Sequence, residues 1–137
     1  MAELSRYGVT QRWSDVVVAG NLAFFVEVPD DTSLPAEAQF RMLFQQVEDR
    51  CRMIGTDLTE LVQVLIYLPY VEDLPVFNAL WDAWIPEGYA PSRACSHPPL
   101  ADPNLRAELI LTAYVASRPE SPCAPEPPQQ PVASPKN

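Results

Sequence analysis

The chain has 137 residues, of which 47% are apolar, and a formal net charge of −9; this length suits one domain with a buried core. Its only lysine is Lys136 and its arginines are scattered, so it lacks the clustered cations that neutralise nucleic-acid phosphates or anionic lipid surfaces. Because no apolar run approaches the length of a bilayer-spanning helix either, we expect neither a nucleic-acid partner nor a membrane.

The N-terminal part of the chain predicts β structure. Residues 1–6 have neither the basic region nor the apolar core of a secretory signal, which favours a cytoplasmic protein. Residues 5–9 can form an edge strand, and two β-branched and aromatic runs within residues 12–28 flank Gly20 and Asn21. Because Gly and Asn tolerate positive φ, the pattern predicts a hairpin with a two-residue turn.

A long helix is predicted next. Ser33 is its candidate N-cap, Pro35 lies near its first position, and Gly55 is placed to end it. Cys51 belongs to the apolar stripe, so we expect it to pack in the core and to have no chemical role. The stripe recurs with a period of 3.6 residues and comprises Phe40, Leu43, Phe44, Val47, Cys51 and Ile54.

The second half of the body predicts a strand, a helix and two more strands. The first strand covers residues 61–68, and the helix begins near residue 72, with Asp73 as its candidate cap. The last two strands are predicted over residues 93–97 and 105–115. The apolar face of the helix consists of Phe77, Leu80, Trp81 and Trp84, of which the tryptophans are expected to be core or interface aromatics.

Composition changes after residue 116. Seven of the last 21 residues are proline, and the segment has no apolar periodicity. It cannot bury enough surface to offset its ordering entropy, so we expect residues 1–116 to form the domain and residues 117–137 to be a disordered tail. Cys123 in this tail is expected to be a free thiol. The three cysteines are odd in number and widely spaced, which indicates neither a disulfide framework nor a zinc site.

The order of elements predicts an α+β sandwich: a mixed sheet of about six strands with two helices packed on one face. The strands carry large apolar residues on both alternations, as in Val16 with Val17, Phe24 with Phe25, and Leu65 with Ile66. A sheet that is apolar on both faces needs a second cover, and only two helices are available. The pattern therefore predicts an oligomer.

Arg93 is the residue whose side-chain chemistry most clearly suggests a ligand site. It lies between small and apolar neighbours at the start of a predicted strand. A guanidinium can hold a carboxylate through two parallel hydrogen bonds, so Arg93 is either a clamp for a small anionic ligand or half of a structural ion pair, for which Glu108 is the candidate partner.

Three segments, in register with the closing strand that contains Glu108, resemble the Rid (YjgF-type) reactive-intermediate deaminase family. They are residues 12–17 (RWSDVV), 78–84 (NALWDAW) and 90–95 (APSRAC). The resemblance covers residues 6–116 and leaves out the tail. The tryptophan-rich helix resembles a subgroup of the family.

The resemblance implies a chorismate-mutase-like fold assembled as a homotrimer, with active sites in clefts between subunits. It implies a 2-iminobutanoate/2-iminopropanoate deaminase-like enzyme that hydrolyses reactive enamines and imines, such as 2-aminoacrylate and other 2-imino acids, to 2-keto acids and ammonia. No metal or organic cofactor is implied.

The resemblance also assigns roles to five residues. Arg93 would hold the substrate carboxylate, and Glu108, expected on a neighbouring strand, would position the attacking water. Cys95 would line the site from the same side of the strand as Arg93. Asn78 matches a helix asparagine near the site, and Trp13 stands where many members have a tyrosine.

Glu27 is a departure from the family pattern. Members usually have a serine-glycine or threonine-glycine pair after the hairpin's second strand, where backbone approaches the substrate, and here that pair is Val26-Glu27. Glu27 therefore points away from the site, or pairs with Arg93 when the site is empty, or contacts a different, cationic ligand.

Two other functions remain open from the sequence. The protein could be a non-catalytic trimer that binds small carboxylates or regulates another protein through the same clefts. Ribonuclease activity is a third possibility, and the acidic composition argues against it.

Overall fold

The computed structural model describes residues 4–116, which contain six β-strands and two α-helices. In chain order they are β1 (Leu4–Tyr7), β2 (Val16–Ala19), β3 (Leu22–Glu27), α1 (Ala36–Ile54), β4 (Leu61–Tyr67), α2 (Leu74–Trp84), β5 (Ser92–Ser96) and β6 (Glu108–Tyr114). The strands and helices predicted for these residues are confirmed, with shifted ends. The predicted tail, including Cys123, lies outside the described residues.

All six strands form one sheet in the order β1-β2-β3-β6-β4-β5. Neighbouring strands are antiparallel except β4 and β5, which are parallel and are connected by α2. The last strand in the sequence, β6, is therefore a central strand, and β5 and β1 are the two edges. The predicted mixed α+β sheet with two helices is confirmed.

The predicted β2–β3 hairpin is confirmed. Val16 pairs with Phe25 and Ala19 with Leu22, so the turn consists of Gly20 and Asn21. Gly20 has a φ of 61°, the left-handed conformation that a two-residue hairpin turn requires. The Asn21 side chain also donates a hydrogen bond of 2.9 Å to the carbonyl oxygen of Val115, which ties the turn to the end of β6.

Both predicted helix caps differ from the structure. Helix α1 begins after Pro35, whose fixed φ already suits a helix start, and Ser33 instead donates its hydroxyl to Asp31 at 2.6 Å. Asp73 does precede α2, but its carboxylate makes no cap because it accepts two hydrogen bonds of 2.8 Å from Arg106. The prediction that Gly55 ends α1 is confirmed.

The two faces of the sheet have different surroundings. One alternation of the strands packs under both helices and forms the core, with Val16, Val18, Ala23, Phe25, Val64, Ile66, Leu109 and Leu111 all at most 3% exposed. On the other face, which we call the open face, Leu22, Phe24 and Tyr114 are 37%, 43% and 41% exposed. The prediction of apolar residues on both faces is thus confirmed.

Neither helix in residues 4–116 combines the length and the hydropathy needed to cross a bilayer. Helix α1 instead presents its apolar stripe to the sheet, and Cys51 on that stripe is 1% exposed. Burial, together with the nearby charges of Asp57, Glu27 and Glu48, raises the pKa of the Cys51 thiol to about 12. The predicted packing role of Cys51 is confirmed.

The Cys51 thiol is expected to make stability fall as the pH rises from about 9 toward 12. In this window the unfolded thiol ionises at its ordinary pKa of 9.0, whereas the folded thiol stays protonated until about 12. Each pH unit then lowers the free energy of unfolding by up to about 1.4 kcal/mol. Urea unfolding of the wild type and of Cys51→Ala between pH 8 and 11 measures this slope.

The alanine variant is also expected to be less stable at every pH, because it leaves a cavity. The test therefore depends only on the slope of the free energy of unfolding against pH, which should be shallower in Cys51→Ala than in the wild type. Parallel alkaline slopes would contradict the prediction.

Candidate active site

Arg93 lies on the edge strand β5 and points to the helix-covered face of the sheet. Its register partner is Val64, which is fully buried in the core. The Arg93 Nη2 atom donates a hydrogen bond of 2.5 Å to Asn78 Oδ1 on α2. The guanidinium carbon lies 5.0 Å from the ring centroid of Trp81 and 5.9 Å from that of Phe77. The half-buried cation is therefore held by an amide and two aromatic rings.

Arg93 has no carboxylate partner among residues 4–116. The two other half-buried arginines are both paired, Arg50 with Glu27 and Arg106 with Asp73. The remaining salt bridges in this part of the chain join exposed residues within α1. A half-buried guanidinium without a counter-charge, in an acidic protein, is suited to bind an anion.

Glu108 is not close to Arg93 within one chain. It is 3% exposed and pairs with Tyr67 of β4, so strand β4 separates it from β5. Its neighbour Leu109 points into the core, which puts Glu108 on the opposite face of the sheet from Arg93. The expectation that the two residues lie on neighbouring strands is wrong, and so is the alternative of an Arg93–Glu108 ion pair within one chain.

Glu27 points toward α1. Its Oε2 atom accepts a hydrogen bond of 3.0 Å from Arg50 Nε, and its Oε1 atom accepts one of 3.3 Å from Gln46. Since Glu27 is 3% exposed, this is a buried ion pair between helix and sheet. The alternative in which Glu27 pairs with Arg93 is therefore wrong. The ion pair with Arg50 was not predicted from the sequence, although the spacing of Arg50 from Gln46 places both on one face of α1.

Trp13 lies in the loop that follows β1, at the other edge of the sheet. Its indole nitrogen donates to Asp15 Oδ1 at 3.2 Å, and the Asp15 backbone N–H donates to the Tyr7 carbonyl at 2.8 Å. Gly8, with a φ of 62°, is required here because any Cβ would overlap the Asp15 carboxylate. Five strand spacings, roughly 24 Å, separate β1 from β5, so Trp13 does not reach Arg93 in the same chain.

The structure thus brings together three of the six predicted site residues. Arg93 and Asn78 are hydrogen-bonded, and Cys95 lies two residues further along β5 on the same face, half-buried against the core. Glu108, Glu27 and Trp13 lie elsewhere. Within residues 4–116, no group of three or more His, Cys, Asp or Glu side chains is placed to hold a metal ion.

The residue that sequence reasoning missed at this site is Trp81. The sequence predicts Trp81 to be a core or interface aromatic, and its side chain is indeed buried, at 4% exposed. Its ring also contacts the Arg93 guanidinium, whose carbon lies 5.0 Å from the ring centroid. The sequence does contain a signal for this contact. Asn78 and Trp81 are three residues apart on one helix, and α2 connects two parallel strands, which places it against β5.

Comparisons with known proteins agree on one family. The sequence matches the Endoribonuclease L-PSP family over residues 3–115. A RutC family protein of Haemophilus ducreyi is 30% identical over 113 residues, covering 82% of this chain and 97% of the relative. A crystal structure of a YjgF family member from Neisseria meningitidis has a TM-score of 0.79 and 31% identity, covering 84% of this chain and 97% of the other.

A second crystal structure, of an uncharacterized protein from Pseudomonas aeruginosa, is equally similar. Its TM-score is 0.80 and its identity 33%, covering 82% of this chain and 99% of the other. The fold and most of the length are therefore shared with these relatives.

The Glu27–Arg50 pair gives a stability prediction. Arg50→Met is expected to lower the free energy of unfolding by about 3–5 kcal/mol, because it leaves Glu27 as an unpaired buried carboxylate. Replacing both partners, as Glu27→Leu with Arg50→Met, should recover most of that loss. Urea unfolding measures the three proteins. Arg41→Met is the control, since its partner Glu37 is 57% exposed and the loss should stay below about 1 kcal/mol. Equal losses in Arg50→Met and Arg41→Met would contradict the buried pair.

Proposed function

Because the chain belongs to the Endoribonuclease L-PSP family, the Rid or YjgF family, we propose that it is an imine deaminase. Its proposed substrates are 2-aminoacrylate and other 2-imino acids, which it would hydrolyse to 2-keto acids and ammonia. The observation that carries this proposal is the half-buried Arg93 guanidinium, which no carboxylate neutralises among the described residues. A substrate carboxylate supplies the missing charge and takes two hydrogen bonds from the guanidinium.

The reaction needs orientation more than strong acid–base chemistry. The imine carbon is electrophilic once its nitrogen is protonated, so one water adds to it. The carbon–nitrogen bond then breaks, and the products are ammonia and a 2-keto acid. In the proposal Arg93 fixes the carboxylate, and Glu108 holds the water and accepts its proton as the water adds to the carbon. Glu108 then returns this proton to the nitrogen, which leaves as ammonia while the hydroxyl proton of the intermediate is released. Cys95 shapes the wall next to Arg93 and does not act as a nucleophile.

Two chains are required for this site. Arg93 and Glu108 lie on opposite faces of one sheet, and Trp13 lies at the opposite edge from Arg93. One substrate meets all three residues only if a second subunit contributes some of them. The open face supports an oligomer, because its exposed apolar residues need a cover. The family resemblance implies that this oligomer is a homotrimer with clefts between subunits.

The experiment generates 2-aminoacrylate or another imino acid in situ and follows its hydrolysis. Arg93→Ala should lower kcat/KM by about 100-fold or more, because the carboxylate loses its charged partner. Glu108→Gln should lower kcat by about 100-fold or more, with the binding of a 2-keto acid nearly unchanged. No acceleration by the wild type across several imino acids would favour a non-catalytic carboxylate-binding trimer instead.

Mixed assemblies test whether the site is shared. When Arg93→Ala and Glu108→Gln chains are co-assembled in equal amounts, about a quarter of the clefts should combine an intact Arg93 from one chain with an intact Glu108 from the next. Activity should therefore reappear in the mixture although each variant alone is inactive. A mixture as inactive as its components would contradict a site that combines Arg93 of one chain with Glu108 of another.

The oligomer is expected to depend on the open face. Wild-type protein should sediment as a trimer at micromolar concentration, and Phe24→Asp should sediment mainly as a monomer, because the charge falls on a residue that is 43% exposed on that face. Val71→Asp is the control, since Val71 is 61% exposed in the turn before α2, outside the sheet. A monomeric wild type, or a trimeric Phe24→Asp, would contradict this assembly.

A further inference from the structure

Three residues of α2, Asn78, Trp81 and Phe77, contact the Arg93 guanidinium without neutralising it. We propose that Trp81 and Asn78 are positioning residues, which orient Arg93 for an incoming carboxylate and act on the substrate only through it. The identity of the ligand, a 2-imino acid, rests on the proposed function, whereas the positioning itself rests on the contacts of Arg93.

The contacts come from one face of the helix. Asn78 and Trp81 are three residues apart, so their side chains are neighbours on α2. Asn78 Oδ1 accepts from Nη2 at 2.5 Å, and the Trp81 ring centroid lies 5.0 Å from the guanidinium carbon, within the range of a cation–π interaction. Asn78 accepts one of the two hydrogens of Nη2, and Trp81 covers one face of the guanidinium. The second Nη2 hydrogen remains, so one paired edge, either Nε with Nη2 or Nη1 with Nη2, can still hold a carboxylate through two hydrogen bonds.

The ring that carries Arg93 is itself immobilised. Trp81 is 4% exposed, and its centroid lies 6.0 Å from that of Phe77, 5.7 Å from that of Trp84 and 6.4 Å from that of Phe44. Since this cluster belongs to the core, its order is set when the chain folds. Arg93 therefore loses less conformational freedom when the ligand binds than a free arginine side chain would lose.

Arg106 shows what a neutralised arginine looks like in the same chain. Its guanidinium also lies on an aromatic ring, with the centroid of Tyr70 at 4.4 Å, but two hydrogen bonds of 2.8 Å join it to the Asp73 carboxylate. At Arg93 the acceptor is an amide instead of a carboxylate. The two sites differ in the charge of this acceptor, and only Arg93 keeps its full positive charge for an anion.

The first experiment changes the Trp81 ring that contacts the Arg93 guanidinium. Sodium 2-oxobutanoate, a product-like 2-keto acid, is titrated by calorimetry into the wild type, Trp81→Phe, Trp81→Leu and Trp84→Leu. Trp81→Leu should weaken binding roughly tenfold, and Trp81→Phe should stay within about threefold because an aromatic face remains. Trp84→Leu is the matched control, since Trp84 packs on the same cluster without contacting Arg93. Equal weakening by Trp84→Leu, or none by Trp81→Leu, would overturn the proposal.

The second experiment changes the charge. Asn78→Asp keeps the shape of the side chain and converts the Arg93 site into the kind found at Arg106. We expect binding of 2-oxobutanoate to weaken at least about tenfold while the melting temperature is unchanged or higher, because the new carboxylate competes with the ligand for Arg93. Unchanged affinity in Asn78→Asp would overturn the proposal.

A ligand-free measurement separates this inference from the proposed function. The Arg93 Nε–H signal in nitrogen–proton NMR spectra is assigned by its loss in Arg93→Ala. It should be ordered in the wild type, Trp81→Phe and Trp84→Leu and mobile in Trp81→Leu. If the wild type shows this pattern but hydrolyses no imine, the proposed enzymatic function is wrong and the proposed positioning of Arg93 stands. A signal equally ordered in Trp81→Leu overturns the positioning, whatever the enzyme assay shows.

Discussion

The alternation of side chains across one six-stranded sheet determines on which face Arg93, Glu108 and Glu27 lie. Successive residues of a strand point to opposite faces, and here one face is covered by both helices while the other is open. The Arg93 side chain points to the covered face, and the Glu108 side chain points to the open face. A single chain therefore separates the cation from the acid, and any chemistry that uses both belongs to an assembly of chains.

The interactions that depend on local spacing could be predicted from the sequence. The β2–β3 hairpin follows from Gly20 and Asn21 between two apolar runs, and the stripe of α1 follows from a period of 3.6 residues. The end of α1 at Gly55 follows from the left-handed conformation that glycine readily adopts. Both faces of the sheet were also predicted to be apolar, because adjacent large residues such as Phe24 and Phe25 must occupy opposite faces.

What could not be predicted depends on pairings between distant segments. The insertion of β6 between β3 and β4 separates Glu108 from the strand of Arg93, and no local pattern encodes that order. In the same way, the partner of Glu27 is fixed only when α1 docks and brings Arg50 within 3.0 Å. The resemblance drew attention to Glu27 as a departure near the substrate. The structure shows an acid whose charge is balanced by the neighbouring helix.

The central position of β6 also has a consequence for the order of folding. Strands β3 and β4 pair with β6 on its two sides and not with each other, so without it the sheet consists of two unconnected pieces, β1-β2-β3 and β4-β5. During synthesis these pieces emerge first, with inner edges that have unpaired backbone groups, and such edges favour aggregation. The cooperative native state can form only after Tyr114 has been made, so the five earlier strands cannot join into one sheet until the sixth is available.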